Sequence, residues 1–361
     1  MRPSPPDGYV LRIVELFTLT DGGQTAQSIA DRLAAWIGEA RQSLDLALYD
    51  VRLPGEVGDT VAGAIRAAAA RGVAVRIAFN QDAPAEPLPP PPRTEVPILE
   101  TLGVPLKPIP GRYDLMHHKY VVRDGGAVWT GSANWTNDSW EREENVLLTV
   151  PSREVALAYA EDFEQLWRKG HVEDTGKFDT KLVAVGEVQV RPWFCPGRGE
   201  KLAHRIGEAI GCATQRVRIA SPVLTSAPIL STIAQIVAEG KLDLCGVVDA
   251  TQVAQVLQQW KANGNASWKQ PLLERVIASG KFTGKNSTPW SPGSTHDFMH
   301  AKVTVADDVV FAGSFNLSRS GEQNAENVLE IHDRALADQA AAFIDAVRVK
   351  YQPLQSAVHV G

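Results

Sequence analysis

The chain has 361 residues, of which 44% are hydrophobic and 22% charged. This composition is ordinary for a globular protein and excludes a collagen-like, coiled-coil or wholly disordered chain. There are only three cysteines and no Cys-x-x-Cys pair, so neither a disulfide framework nor a cysteine zinc cluster is expected. A formal net charge of −6 gives no global attraction to nucleic acid or anionic lipid, and such a partner would need a locally basic cleft.

Two features of the sequence bear on location. The N-terminal residues are interrupted by prolines and an aspartate, whereas a secretory signal peptide has an apolar run of about 7–15 residues. No stretch approaches the roughly 18 apolar residues of a membrane-spanning helix. We therefore expect a cytoplasmic protein without an integral membrane segment.

The most informative feature is an internal repeat. In chain order, the first half predicts a strand at 10–19, a helix carrying Ile-Gly-Glu-Ala at 37–40, a strand at 44–49, a helix at 61–70 ended by Gly72, and a strand at 73–79. The second half repeats this order with a strand at 188–194, a helix carrying Ile-Gly-Glu-Ala at 206–209, a strand at 217–220, a helix at 229–238 ended by Gly240, and a strand at 242–248.

Alternating helices and strands predict an α/β fold, and short apolar strands favour parallel pairing. The repeat predicts two lobes, residues 1–180 and 181–361, joined in the polar stretch at 170–186. Two linkers interrupt the pattern. The segment 84–110 is rich in proline and predicts a stiff surface loop, and the segment 261–297 is rich in Asn, Ser, Gly and Lys. Both linkers lead into the residues that carry chemistry.

Each half contains the same ordered set of polar residues. The first set comprises His117, Lys119, Asp124, Gly-Ser-Ala-Asn at 131–134 and Glu-Asn-Val at 144–146. The second set comprises His300, Lys302, Asp307, Gly-Ser-Phe-Asn at 313–316 and Glu-Asn-Val at 326–328. One such pattern could arise by chance, but two copies at nearly fixed spacing indicate a shared site.

The local geometry indicates what this set can do. A strand places the His and Lys of a motif on one face, and an Asp-containing hairpin turn returns the chain so that Ser and Asn lie beside them. When the two lobes face each other, two His, two Lys and two Asn surround one point. Such groups neutralise a pentacoordinate phosphorane without a metal, and two histidines provide a nucleophile and a proton donor. The pattern therefore predicts phosphodiester chemistry without a cofactor.

These motifs resemble the duplicated HxKxxxxD…GSxN signature of the phospholipase D superfamily, and the resemblance covers nearly the whole chain. It implies two pseudo-twofold-related α/β lobes, mixed β-sheets flanked by helices, and one active site at the lobe interface. It also implies attack by one histidine on phosphorus, giving a phosphohistidine, while the other histidine protonates the leaving alcohol and then activates the incoming water or alcohol.

The resemblance also implies roles for individual residues. His117 would be the nucleophile, as the N-terminal motif histidine usually is, and His300 the acid/base. The phosphate would be bound by Lys119, Lys302, Asn134 and Asn316, supported by Ser132 and Ser314. Glu144 and Glu326 match the acids that orient the histidines, whereas Asp124 and Asp307 are expected to be structural. In the second copy Asp307 lies one residue nearer the Gly-Ser pair, which falls in a hairpin turn where length is tolerated.

The substrate is left open by the sequence. A phospholipid headgroup ester is favoured, with hydrolysis or transfer to another alcohol, and no obligate protein partner is evident. A nuclease acting on DNA or RNA uses the same chemistry, and a non-catalytic phosphate-binding protein is a third hypothesis that predicts broken motifs. Of the nearby residues, His118 is expected to face away from the site, and His296 is a candidate for lining it. Trp135 and Trp140 would either line the pocket or pack in the core.

Overall fold

Two mixed β-sheets flanked by helices form the protein, one from each half of the chain. The computed structural model describes residues 14–82, 96–111, 114–291 and 293–358. The first seven-stranded sheet has the order β1-β9-β7-β6-β2-β4-β5, and the second, with nine strands, has the order β10-β11-β17-β16-β15-β12-β13-β14-β18. A short pair, β3 with β8, lies outside both sheets.

The first half contributes elements in an alternating order. These are β1 (Glu15–Leu19), α1 (Ala26–Gly38), β2 (Ser43–Leu48), β3 (Val51–Arg52), α2 (Gly55–Ala70), β4 (Ala74–Asp82), α3 (Val96–Glu100), β5 (Leu106–Gly111), β6 (Lys119–Arg123), β7 (Ala127–Gly131), β8 (Trp135–Thr136), α4 (Asn137–Glu141), β9 (Asn145–Val150) and α5 (Arg153–Lys169).

The second half repeats the order with additions at both ends of its sheet. Its elements are β10 (Val183–Val185), β11 (Val188–Phe194), α6 (Gly199–Cys212), β12 (Arg216–Ser221), α7 (Ala227–Glu239), β13 (Asp243–Asp249), α8 (Ala250–Asn263), α9 (Gln270–Ala278), β14 (Phe282–Lys285), β15 (Val303–Ala306), β16 (Val309–Gly313), α10 (Arg319–Gln323), β17 (Asn327–His332), α11 (Arg334–Arg348), β18 (Gln352–Pro353) and α12 (Leu354–Ala357).

Seven strands of each sheet correspond one to one, which confirms the predicted α/β fold with two related lobes. The order β1-β9-β7-β6-β2-β4-β5 matches β11-β17-β16-β15-β12-β13-β14. The pairs built on the predicted helix–strand repeat, such as β2 with β4 and β12 with β13, are parallel. The motif strands form antiparallel hairpins, β6 with β7 and β15 with β16. Both sheets are therefore mixed, because only the strands joined by crossover helices run parallel.

Side-chain packing joins the two lobes. One apolar cluster contains residues of α5 and the first sheet together with residues of α11 and the second sheet. Separate clusters lie under α1 and α2 in the first lobe and under α6 and α7 in the second. The lobes share a core at their interface, which holds any site between them in a fixed geometry.

The described parts of the two linkers contain helices and strands that the sequence does not predict. The proline-rich segment was expected to be a surface loop over 84–110. Residues 83–95 lie outside the described part, but α3 and β5 occupy much of 96–111, and β5 pairs in parallel with β4. The second linker contains α8's end, α9 and β14, and β14 pairs in parallel with β13. These strands escaped prediction because their apolar residues are few and lie near proline or glycine.

Candidate active site

A pocket of about 270 Å³ lies at the lobe interface and is lined by residues from both motif copies. Tyr49 follows β2 and Pro222 follows β12, and these two residues are equivalent in the repeat. The pocket thus lies at the carboxyl ends of parallel strands, where open α/β sheets bind ligands. His117 and His300 both line it.

The backbone around each motif histidine is bound to the opposite lobe. The His117 N–H donates to the carbonyl of Ala325 at 2.9 Å, and the His300 N–H donates to the carbonyl of Glu144 at 3.1 Å. Isolated parallel bridges, Met116 with Ala325 and Met299 with Glu144, extend these contacts. Each histidine is therefore positioned by the lobe that does not contain its motif.

The imidazole of His117 is held by a buried carboxylate. Its Nδ1 lies 2.8 Å from Oε1 and 2.9 Å from Oε2 of Glu326. The Asn324 amide donates to Oε1 of the same carboxylate at 3.3 Å. Burial raises the pKa of Glu326 to about 7. When Nδ1 donates to Glu326, the lone pair of His117 is on Nε2 and available to a ligand.

The imidazole of His300 has a different partner from the one expected. Its Nδ1 lies 3.1 Å from Oδ1 of Asn145 and 3.3 Å from Oε2 of Glu143. The Asn145 amide in turn donates to Glu143 at 3.0 Å. The positions of the carboxylate and the amide are therefore exchanged between the two half-sites. The group nearest Nδ1 is a carboxylate for His117 and an amide oxygen for His300. Burial raises the pKa of Glu143 to about 7.

This exchange corrects the sequence prediction for Glu144. Glu144 and Glu326 lie the same number of residues after the Gly-Ser pair of their motifs. The strand that follows is nevertheless aligned one residue differently in the two lobes. The N–H of Ser132 donates to the carbonyl of Val146, whereas the N–H of Ser314 donates to that of Asn327. Asn145 consequently occupies the position of Glu326, because the span from Ser132 to Val146 is one residue longer than the span from Ser314 to Asn327.

The Glu144 side chain lies on another set of partners. Lys285 Nζ donates to its Oε2 at 3.0 Å, the Tyr351 hydroxyl donates to its Oε1, and the Asp21 N–H lies 3.4 Å from that oxygen. Glu144 is completely buried. The Glu144 side chain thus links elements of the two lobes, and it does not contact His300.

The two motif lysines are buried beneath the pocket. Lys119 Nζ donates to the carbonyl of His117, and Lys302 Nζ donates to that of His300 at 2.7 Å. Burial lowers the pKa of Lys119 to about 7, and burial together with the charge of Lys119 lowers the pKa of Lys302. Burial, followed by the lysine charges, lowers the pKa of both histidines well below the ordinary value. Both imidazoles are thus neutral at pH 7.

The asparagine and serine residues of the motifs divide into two roles. Asn134 and Asn316 line the pocket, and their Oδ1 atoms have no hydrogen-bond partner in the described chain. The Ser132 hydroxyl accepts the N–H of Val146 at 2.9 Å and donates to Oδ1 of Asn145 at 2.7 Å. The Ser314 hydroxyl accepts the N–H of Asn327 at 3.0 Å. The serines brace the neighbouring strand, whereas the asparagines face the ligand space.

The motif aspartates lie away from the pocket. Asp124 and Asp307 occupy hairpin turns with φ of 54° and 51°. The Asp124 carboxylate accepts the N–H groups of residues 41, 42 and 43, and Asp307 accepts those of residues 214, 215 and 216. Each aspartate ties its hairpin to the loop between the lobe's first helix and the following strand. Neither reaches the reacting groups.

Other residues singled out in the sequence also have defined places. His118 is fully buried and faces Asp162 and Asn327, away from the pocket. His296 lines the pocket. Trp135 and Trp140 are buried in the first lobe's apolar cluster and do not line it. In the described ranges, no group of three or more His, Cys, Asp or Glu side chains could hold a metal ion.

Several residues at the site escaped the sequence analysis. Glu143 precedes Glu144, so the adjacent acids at 143–144 were the available signal that the register was ambiguous. Tyr49 meets the His117 ring edge-on at a centroid distance of 4.5 Å. Asp249 binds the N–H groups of Gln252 and Met299 and the Ser287 hydroxyl, which joins α8 to the residue before His300. These contacts depend on tertiary packing and carry no local motif.

The comparisons with known proteins agree with this arrangement. The family described as "Cardiolipin synthase, PLD-like domain" matches residues 33–167 and 206–348. The mitochondrial cardiolipin hydrolase of Xenopus tropicalis is 32% identical over 146 residues, covering 39% of this chain and 62% of that protein. The human protein of the same name is 31% identical over 146 residues, covering 40% of this chain and 52% of that protein. The chain thus spans little more than half the length of these relatives.

A solved structure shows the same fold over most of its length. The phosphatidylserine synthase of Haemophilus influenzae Rd KW20 superimposes with a TM-score of 0.64 at 14% identity, covering 96% of this chain and 88% of that one. At this identity the likeness concerns the fold alone. No described helix is both long and apolar enough to cross a membrane.

Two pseudo-twofold lobes that each place a His, a Lys and an Asn around one interfacial site define a protein of the phospholipase D superfamily. Within it, the chain belongs to the family of cardiolipin synthase, PLD-like domains.

Proposed function

We propose that this chain is a metal-independent phosphodiesterase that hydrolyses or transfers phospholipid headgroup esters through a phosphohistidine. The observation that carries the proposal is the convergence of His117 and His300 on one pocket, each with its Nδ1 bound from the opposite lobe. The Nε2 atoms are then left for the substrate. The relatives named as cardiolipin hydrolases support a phospholipid substrate.

His117 is the nucleophile in this proposal. Its Nδ1–H faces the carboxylate of Glu326, which increases the electron density on Nε2 and stabilises the cation formed when Nε2 bonds to phosphorus. His300 faces the neutral Asn145 amide at the shorter distance. An arriving phosphate anion raises the pKa of His300, so that His300 becomes the proton donor.

The two steps balance in protons and bonds. The lone pair on Nε2 of His117 forms a bond to phosphorus while the bond to the leaving oxygen breaks, and His300 gives its Nε2 proton to that oxygen. Water then attacks phosphorus, its proton passes to His300, and the bond between phosphorus and His117 breaks. Lys119, Lys302, Asn134 and Asn316 neutralise the equatorial oxygens in both steps.

The first experiment measures turnover of mixed phospholipids and of single-stranded DNA by the purified chain in excess EDTA. We expect release of headgroup alcohol from phospholipid and no loss of rate with EDTA. Faster cleavage of DNA would instead support the nuclease hypothesis, and a rate abolished by EDTA would contradict the metal-independent mechanism.

The second experiment assigns the histidines. With a phosphodiester that carries a good leaving group, His300→Ala should accumulate a phosphorylated protein by intact mass, and His117→Ala should not. His171→Ala is the matched control because His171 is exposed, pairs with Glu173 and does not line the pocket. Accumulation in His117→Ala alone would reverse the assignment, and binding without turnover in the unaltered chain would support the non-catalytic hypothesis.

Two further predictions remain part of this proposal. The lobe boundary is placed near residue 180, between α5 and β10. We propose a cytoplasmic location. The compartment that appears in the relatives' names describes those proteins and not this chain. Cell fractionation tests the location.

A further inference from the structure

The residue before each motif histidine is held by a buried side chain of its own lobe. Asn80 Oδ1 accepts the N–H of Met116 at 3.1 Å, and Asp249 Oδ2 accepts the N–H of Met299 at 3.0 Å. All four residues are buried. The next N–H in each motif, that of the histidine, donates across the interface to the opposite lobe. Two consecutive N–H groups, bound from two lobes, therefore fix the backbone from which each imidazole extends.

Asn80 and Asp249 occupy equivalent positions in the repeat. Asn80 lies in β4, one residue beyond the last pairing of that strand with β2. Asp249 lies in β13, one residue beyond the last pairing of that strand with β12. The distances along the chain differ, since 36 positions separate Asn80 from Met116 and 50 separate Asp249 from Met299. The duplicated fold nevertheless places an oxygen acceptor at the same point in each lobe.

The first of these positions requires an acceptor. A backbone N–H only donates, so the oxygen of the Asn80 amide faces Met116 and the amide nitrogen, Nδ2, faces away. Nδ2 is buried and has no hydrogen-bond partner among the described residues. Burying an amide N–H group without a partner costs free energy, a cost that an apolar side chain would avoid. The Asn80 amide is therefore accounted for by its bond to the residue before His117.

Asp249 makes the same bond and two more. Its Oδ1 accepts the N–H of Gln252, in the first turn of α8, at 2.9 Å and the hydroxyl of Ser287 at 2.8 Å. Gln252 and Ser287 both line the pocket. Burial raises the pKa of Asp249 to about 6, so the ionised form prevails at pH 7, and an ionised acceptor forms stronger hydrogen bonds than an amide does. Asp249 thus ties the segment before His300 to the pocket wall.

From this arrangement we infer that Asn80 and Asp249 are positioning residues, one for each catalytic histidine. Asn80 places His117, the nucleophile, and Asp249 places His300, the acid/base, against the pocket wall. Neither side chain lines the pocket, so each acts through the main chain of the methionine that it binds. The inference rests on the proposed function for the roles of the two histidines.

The two roles predict different kinetic defects. Single-turnover formation of the phosphoenzyme is compared for phosphatidyl-p-nitrophenol and phosphatidylethanol, which differ only in the leaving group. p-Nitrophenolate leaves without a proton, whereas the ethanol oxygen requires one from His300. Asp249→Ala should therefore slow the reaction of phosphatidylethanol by about 10–100-fold and that of phosphatidyl-p-nitrophenol by less than about twofold. Asn80→Ala should slow both reactions alike, because both need the nucleophile.

Two more variants separate positioning from folding. Asp249→Asn keeps an oxygen for the Met299 N–H, should retain part of the rate that Asp249→Ala loses, and replaces that variant if it does not fold. Asp333→Ala is the matched control, because Asp333 likewise caps a helix of the second lobe, α11, and does not line the pocket. It should lower thermal stability and leave both rates unchanged. A loss in Asp249→Ala that is equal for the two substrates, or no larger than in the control, would overturn the inference.

A measurement without substrate distinguishes this inference from the proposed function. NMR spectra of the chain with ring-¹³C-labelled histidine, assigned with His117→Ala and His300→Ala, report the surroundings of each imidazole. We expect Asp249→Ala to shift the His300 signal more than the His117 signal, and Asn80→Ala to do the reverse. A chain that shows these shifts but turns over no diester supports the positioning and contradicts the proposed function. Shifts that do not follow this pairing overturn the inference even when diesters are cleaved.

Discussion

The Nδ1 atom of His117 lies 2.8 Å from Oε1 of Glu326, although 209 positions separate the two residues in the chain. His300, the partner histidine, instead lies nearest the amide oxygen of Asn145. A duplicated sequence has thus produced two half-sites that differ in the group nearest the histidine, a carboxylate for His117 and an amide oxygen for His300, with the Glu143 carboxylate slightly further from His300 at 3.3 Å.

Replacing Glu326 by Gln should lower kcat by about 10²-fold, the lower range for loss of a positioned acid–base group. The amide keeps the hydrogen bond but no longer stabilises a positive imidazole. Single-turnover formation of the phosphoenzyme measures the step affected. Glu144→Gln is the control, since it should alter thermal stability through Lys285 and leave the rate of this step unchanged. Equal slowing by both substitutions would contradict the register of β9 against β7.

Exchanging the side chains at Glu143 and Asn145 tests the order of acid and amide near His300, which is the reverse of the order near His117. Glu143→Asn alone removes the carboxylate that binds Asn145 and should slow dephosphorylation. The double variant Glu143→Asn with Asn145→Glu recreates the Asn324–Glu326 pattern, and we expect it to recover part of the lost rate. Rapid-quench kinetics of phosphoenzyme decay measure the recovery. Strict additivity of the two single effects would show that the residues do not act as a unit.

The dependence of kcat/KM on pH should be bell-shaped with its maximum near neutrality. Burial raises the pKa of Glu326 to about 7, and the ionised form is the one that supports His117 as a nucleophile. Burial lowers the pKa of Lys119 to about 7, and the protonated form binds phosphate. The rate should therefore fall with acid as Glu326 gains a proton and with alkali as Lys119 loses one.

Two variants assign the limbs of this profile. The arginine in Lys119→Arg stays charged at alkaline pH, so this substitution should move the alkaline limb to higher pH. Glu326→Gln should remove the acid limb. Initial rates from pH 5 to 9, at constant ionic strength, give the profile. A Lys119→Arg profile identical in shape to that of the unaltered chain would show that another group titrates.

Replacing Asp124 by Asn should reduce the free energy of unfolding by about 1–2 kcal/mol without affecting catalysis, because a charged acceptor of three N–H groups is lost. Asn tolerates the positive φ of 54°, so the substitution isolates the charge.

The unaltered chain and the Asp124→Asn variant also test how this contribution to stability depends on pH. The backbone N–H groups lower the pKa of Asp124 in the folded state, so its contribution is present above the unfolded pKa of about 3.9 and is lost as pH falls through the folded value. The stability difference between the two proteins should shrink below about pH 4, as measured by urea unfolding. A difference independent of pH would contradict a role for the charge.

The sequence alone determined the duplicated motifs, the α/β character and the choice of His117 and His300 as paired groups. These features follow from local patterns, namely helix and strand periodicity and fixed spacing along one hairpin. Sequence spacing also indicated that Asp307 lies in a turn, where the structure places it.

Only the tertiary structure decided which residue faces each histidine. The second hairpin is one residue shorter. In addition, Gly131 pairs with Leu147 whereas Gly313 pairs with Val328, one residue earlier along the chain, so equal spacing in sequence no longer means equal position in space. The partners of His117 and His300 come from the opposite lobe, and they are selected by how the shared core brings the two sheets together. The lining of the pocket depends on the same packing: α8 and Ser287 are separated in sequence, and Asp249 joins them by accepting from the N–H of Gln252 and from the Ser287 hydroxyl.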